Sequence, residues 1–186
     1  MKIKLKKGLR LKLAGALPLN AVATAVDSKV FAIYPDDFPG FVPKVDVKEG
    51  EEVACGMAVM HDKNHPEVRL VSPVAGKVKA VVRGERRKVI RIEVEAGESG
   101  VKSPEFGKPG NAAEIKHLLA SSGLLALMRQ RPYDIVPNPD DDVRDIFVTA
   151  FDEAPLAPDY GVFADIFSAE DYQAGVDMLA GATLGK

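Results

Sequence analysis

Residues 61–65, HDKNH, set two histidines four positions apart around an acid and a lysine. Two chemistries could use such a stretch. Paired histidines at i and i+4 beside an acid hold zinc when they lie on one helix, because those positions share a face. Here the stretch falls between strand-like segments, and Pro66 disfavours α geometry at His65. His61 and His65 therefore read as exposed loop residues, and the sequence assigns no metal ligand. The second chemistry concerns Lys63. An acid–lysine pair followed by SPVAG (72–76) is close to the way carrier proteins present a lysine bearing a covalent swinging arm. Such a lysine must sit at the tip of a tight hairpin. Eight residues separate Lys63 from Ser72, more than the carrier pattern has, and Pro66 stiffens the loop. Lys63 reads as an ordinary solvated lysine, with a lipoyl- or biotinyl-type carrier domain modified at Lys63 as the alternative.

The remaining motifs read blandly. GATLGK (181–186) imitates the end of a phosphate-binding loop, but only three residues separate its glycines where four are needed. It reads as a helix-terminating turn. No G-x-G-x-x-G occurs, so the chain lacks the dinucleotide fingerprint. The lone Cys55 excludes an intramolecular disulfide and reads as a small, half-buried hydrophobe. Arg83, Arg86, Arg87, Lys88 and Arg91 crowd one hairpin. They form either a solvated turn or a docking patch for an acidic partner protein or anionic headgroups. Phe38 and Phe41 read as lids on the core, and as an interface if exposed together. His117 is expected to face solvent, and Asp140, Asp141 and Asp142 read as a solubilising linker. No nucleophile–base pair or paired carboxylates can be argued from spacing, so no catalytic residue is assigned.

The elements that carry these residues follow from composition and periodicity. The 186 residues are 46% hydrophobic and 28% charged with a net charge of −2, a balance that argues against a nucleic-acid partner. No apolar run approaches the roughly 18–20 residues of a membrane span. Arg10 and Lys12 interrupt the basic, partly apolar start, so it does not read as a signal peptide, and the chain reads as soluble and cytosolic.

Within residues 1–100, VFAIYP, VRLVSP, GKVKAVV and KVIRIEVE read as short strands between Gly/Pro turns, with no helix among them. In the last, Ile90, Ile92 and Val94 alternate with Val89, Arg91, Glu93 and Glu95. RGERRK (83–88) is the hairpin between the last two, with Gly84 expected at its tolerant backbone position. Turns at Gly50, Gly56, Pro73 and Gly76 complete a barrel-sandwich (hammerhead-like) β module.

Residues 101–142 read as a helical connector and an acidic linker. Asn111 caps a helix with Glu114 in its first turn, and Ile115, Leu118 and Leu119 form its apolar face up to Gly123. A second short helical stretch, LLALMRQRP, is expected to end at Pro132. Residues 143–186 read as the first strand (DIFVTAFD, 145–152) and first helix of an incomplete Rossmann-like α/β domain. Ser168 caps that helix, and Tyr172, Val176 and Leu179 share its inner face. One strand and one helix cannot close such a domain, so the chain reads as part of a longer protein.

Several long phrases in order resemble one family. They are IKLKKGLRLKLAG (3–15), PGFVPKVDVKEGEEV (39–53), DKNHPEVRLVSPVAGKVKAVVRGERRKVIRIEVE (62–95), SSGLLALMRQRPYDIVP (121–137) and IFVTAFDEAPLAPD (146–159). Together they resemble the A subunits of the bacterial sodium-translocating NADH–quinone oxidoreductases. The resemblance implies a peripheral subunit on the cytoplasmic face of the inner membrane, partnered by the other subunits of the complex. It implies ubiquinone as the substrate of the complex, with this component associated with quinone binding and the last electron step. NADH, flavins and iron–sulfur centres belong to other subunits, and no group is bound covalently here. The residues that contact quinone are expected in the family's later half, so none is carried onto this sequence.

Overall fold

The computed structural model describes residues 27–149 and 168–183, together with residues 4, 13–15, 17, 154, 156 and 157. The chain divides into two compact units, Met1–Ala25 with Phe147–Val176 and Val26–Ile146 with Asp177–Lys186. Seven short strands lie among the described residues: β1 (Val30–Ile33), β2 (Pro43–Val45), β3 (Glu52–Val53), β4 (Ala58–Asp62), β5 (Arg69–Val71), β6 (Gly76–Arg83) and β7 (Val89–Ala96). They form a four-stranded sheet, β1-β7-β6-β3, and a three-stranded sheet, β2-β4-β5, with every pair antiparallel. One apolar cluster joins them, with Val53, Val78, Ile92 and Val94 from the larger sheet and Val59, Met60 and Leu70 from the smaller. Fully burying such side chains is worth about 1.5–3 kcal/mol each, which is how strands this short hold together. No helix among the described residues is long and apolar enough to cross a membrane.

Irregularities tune this core. The β4–β5 register shifts between Ala58 and Met60, and Val59 and Met60 are both buried although adjacent. The β6–β7 register shifts between Val78 and Ala80 and again where Val82 pairs with Arg91 but Arg83 with Val89. The latter shift breaks the expected alternation of β7, so that Val89 is buried and Ile90 only half-buried. Gly76 cannot be replaced by any larger residue without collision, because a Cβ there would run into the carbonyl of Glu95 on the neighbouring strand.

Helix α1 (Ala112–Ser121) begins as its sequence requires. The Asn111 side chain accepts from the Glu114 N–H at 3.0 Å, while the Glu114 carboxylate takes the Asn111 amide and the Gly110 N–H, both at 2.7 Å. Ile115, Leu119 and Ala120 are buried.

The next stretch departs from expectation. It makes only a 3₁₀ turn over Leu125–Leu127, and the backbone is already extended at Met128, well before Pro132. Burial explains the early exit. Leu125 and Ala126 are buried, and Arg129 then spends its guanidinium on the Ala126, Met128 and Asp37 carbonyls at 2.9–3.0 Å. The 138–142 segment is also more ordered in its bonding than a plain linker. Asn138 accepts from the Asp140 N–H and donates to the Asp141 carboxylate, and Lys116 donates to the Asp141 carbonyl.

Helix α2 (Ala169–Gly181) is capped by Ser168, whose hydroxyl accepts from the Asp171 N–H at 3.0 Å and donates to its carboxylate. Its inner face is the expected one only at Leu179. Tyr172 is exposed, and the apolar residues packed on the core are Met178, Leu179 and, just past the helix, Ala182. The strand expected at 145–152 is absent from residues 145–149, where Phe147 is 88% exposed; residues 150–152 lie outside the described ones. A lone apolar segment cannot satisfy its own backbone groups, and no described strand lies beside this one to form a ladder.

Candidate functional site

The loop between β4 and β5 is organised by one side chain. Asp62 closes β4, is buried, and accepts three backbone N–H bonds: Val42 at 2.8 Å on one oxygen, Asn64 at 2.6 Å and His65 at 3.2 Å on the other. Both oxygens are thus committed to holding the loop. The His65 carbonyl then receives the Val68 N–H, returning the chain to β5. Against this loop lies the segment after the 3₁₀ turn, held by Val136 donating to the Pro39 carbonyl at 2.8 Å. Between them is a cleft of about 130 Å³ lined by Asp62, Asn64, His65, Gln130, Ile135 and Asn138 among others. It offers amides, an imidazole and a carboxylate already engaged, a lining suited to binding rather than nucleophilic attack. A larger, more open groove of about 530 Å³ runs beside α1 past Phe106, Lys108, His117 and Leu118.

The structure separates residues that the sequence sets together. Lys63 is exposed at the base of this loop, with its N–H on the Val42 carbonyl at 2.8 Å rather than at a hairpin tip. His61 points elsewhere, its Nδ1 lying 2.6 Å from the Asp46 carboxylate. His65 instead keeps company that no local motif announces. Its ring nitrogen and the carboxylates of Glu67 and Asp140 lie within 4.8 Å of one another. Phe41 is 7% exposed and Phe38 half-buried, so both lie against the core rather than forming an exposed pair. His117 faces solvent as expected. Cys55 is exposed, not half-buried, because its thiol reaches outward to the Pro73 carbonyl at 3.3 Å.

The basic hairpin resolves into two parts. Arg91 lies over the Tyr34 ring at 5.9 Å and pairs with Glu93 at 2.7 Å, and that hydrogen bond raises its pKa further. Lys88 pairs with Asp36 at 2.7 Å. Arg86 and Arg87, at the turn, are exposed and carry positive φ of 53° and 62°. Gly84 is not the tolerant position, since its φ is −98°. Its lack of a side chain answers to packing instead, because a Cβ there would lie 2.9 Å from Ile90 Cδ1.

Comparison with known proteins bears on the whole chain. Residues 3–97 match the model of the NqrA N-terminal barrel-sandwich hybrid domain, and residues 111–186 that of the NqrA second alpha/beta domain. The chain belongs to the NqrA family. Similar relatives include the A subunits of the Na(+)-translocating NADH-quinone reductases of Yersinia pseudotuberculosis serotype O:1b (35% identical over 190 residues) and Hahella chejuensis (36% over 189). Each alignment covers 99% of this chain and 42% of the relative. The corresponding protein from Pseudomonas aeruginosa, which bears the same name, is 35% identical over 185 residues, covering 95% and 40%. The chain thus spans about two fifths of the length of these NqrA relatives, and its fold is an NqrA barrel-sandwich hybrid domain followed by an alpha/beta domain.

Proposed function

We propose that this chain serves as the NqrA component of a Na⁺-translocating NADH–quinone reductase. It contributes to assembly of the complex and to quinone binding and reduction, in respiratory sodium export. It is a peripheral component on the cytoplasmic face of the inner membrane and contacts the other subunits. NADH, flavin and iron–sulfur chemistry belongs to those subunits, and nothing is attached covalently here. Residues 1–100 form the β module, 101–142 the connector, and 143–186 the opening of the α/β domain. The observation that carries this reading is the alignment of nearly the whole chain with relatives bearing that name. No quinone contact is assigned.

The decisive experiment expresses the chain, within the full-length NqrA protein, in a host carrying the remaining subunits. Recovery from membranes with those subunits is the expected result, and recovery always alone sinks the proposal. A photoreactive quinone analogue is then expected to label peptides outside residues 1–186, whereas labels inside them would bring quinone to this chain. The rival reading, a carrier modified at Lys63, predicts a lipoyl or biotinyl mass on the intact protein.

A further inference from the structure

We propose that His65, Glu67 and Asp140 form a binding site for a divalent transition cation of the Zn²⁺ type, where the β4–β5 loop meets the 138–141 turn. The donor set is one imidazole nitrogen and two carboxylates, all within 4.8 Å. Among the described residues, none of the three side chains has a hydrogen-bond or ion-pair partner. Two neighbouring carboxylates repel each other by about 1 kcal/mol or less in water. A cation between them turns that repulsion into attraction.

The backbone beneath each segment is already fixed, His65 by Asp62 and Asp140 by Asn138, so binding would order little more than side chains. Metal–ligand bonds of about 2.1 Å in a tetrahedral site put donor atoms about 3.4 Å apart. Closing from 4.8 Å thus asks only for rotamer changes, which the exposed Asp140 and half-buried Glu67 can make. The mixed nitrogen and oxygen set favours zinc and its neighbours over Mg²⁺ or Ca²⁺, which take all-oxygen shells. Three protein ligands leave one position for water. The bland alternative is a patch of solvated charges that binds nothing.

Calorimetric titration of the chelator-treated full chain with Zn²⁺, and separately with Mg²⁺, distinguishes the two. The expected result is one Zn²⁺ per chain and much weaker Mg²⁺ binding. His65→Ala and Asp140→Asn should each weaken Zn²⁺ by about tenfold or more, since losing even an outer-shell partner costs about 10–100-fold. His61→Ala should leave binding unchanged. Circular dichroism confirms that each variant is folded, and Glu67→Gln, isosteric and partly exposed, serves if one is not. X-ray absorption at the zinc edge should show nitrogen and oxygen neighbours without sulfur. Absence of stoichiometric binding, unchanged affinity in both His65→Ala and Asp140→Asn, or a sulfur shell from Cys55 overturns the proposal.

Discussion

The loop after β4 and the hairpin after β6 both reverse the chain between antiparallel strands of one module, yet different forces hold them. The first is built inward. A buried carboxylate gathers three N–H groups, and the surrounding polar side chains converge on a cleft. The second is built outward. Its two turn residues are arginines in the left-handed region, it is closed by the Gly84 N–H on the Lys88 carbonyl and by Arg83 on the Arg87 carbonyl, and its Lys88–Asp36 pair is exposed. The inward loop spends charge on its own backbone and so becomes rigid enough to position a site. The outward hairpin leaves Arg86 and Arg87 facing water at a conformational cost of order 1–3 kcal/mol each.

Substitutions can break or sharpen this contrast. The largest effect is expected for Asp62→Ala, which strands three N–H groups near the core. It should lower unfolding free energy by about 2–4 kcal/mol in urea titration. A change below about 1 kcal/mol would mean that water serves those groups equally well. Gly84→Ala should cost about 1 kcal/mol by pressing on Ile90, measured the same way. Arg86→Gly should act in the opposite direction, stabilising by about 0.5–1 kcal/mol as the left-handed strain is relieved. Loss of stability there would show that the arginine itself holds the turn. Lys88→Ala should be nearly silent, about 0.5 kcal/mol or less, because its pair with Asp36 is exposed.

What the sequence disclosed depended on whether the cause was local. Four of the seven strands, β1, β5, β6 and β7, announced themselves as short apolar runs between turn residues, and Asn111 and Ser168 through their caps. The barrel-sandwich assignment rested on such agreements. Misreadings arose where a distant neighbour decided the outcome. Arg129 draws the chain out of its helix because the Asp37 carbonyl waits across the fold. Ile90 leaves the expected alternation because a register shift against β6 brings Val89 inward. The 145–149 run is apolar enough for a strand, but strand formation needs a partner edge that no residue pattern within the run can supply. The His65, Glu67 and Asp140 cluster was illegible for the same reason. Two of its members lie in a loop read as inert and the third in a segment read as solubilising, and only folding brings them together.

The Arg129 guanidinium and the bond from Val136 to the Pro39 carbonyl stitch the connector onto the β module. Anyone trimming this protein to its strands alone, by cutting near residue 100, would strip two carbonyls of their donors and uncover the Phe38 side of the barrel. A portion worth producing by itself therefore keeps the connector through the turn at Asp141 and, because Met178, Leu179 and Ala182 pack on the same core, the end of α2 as well.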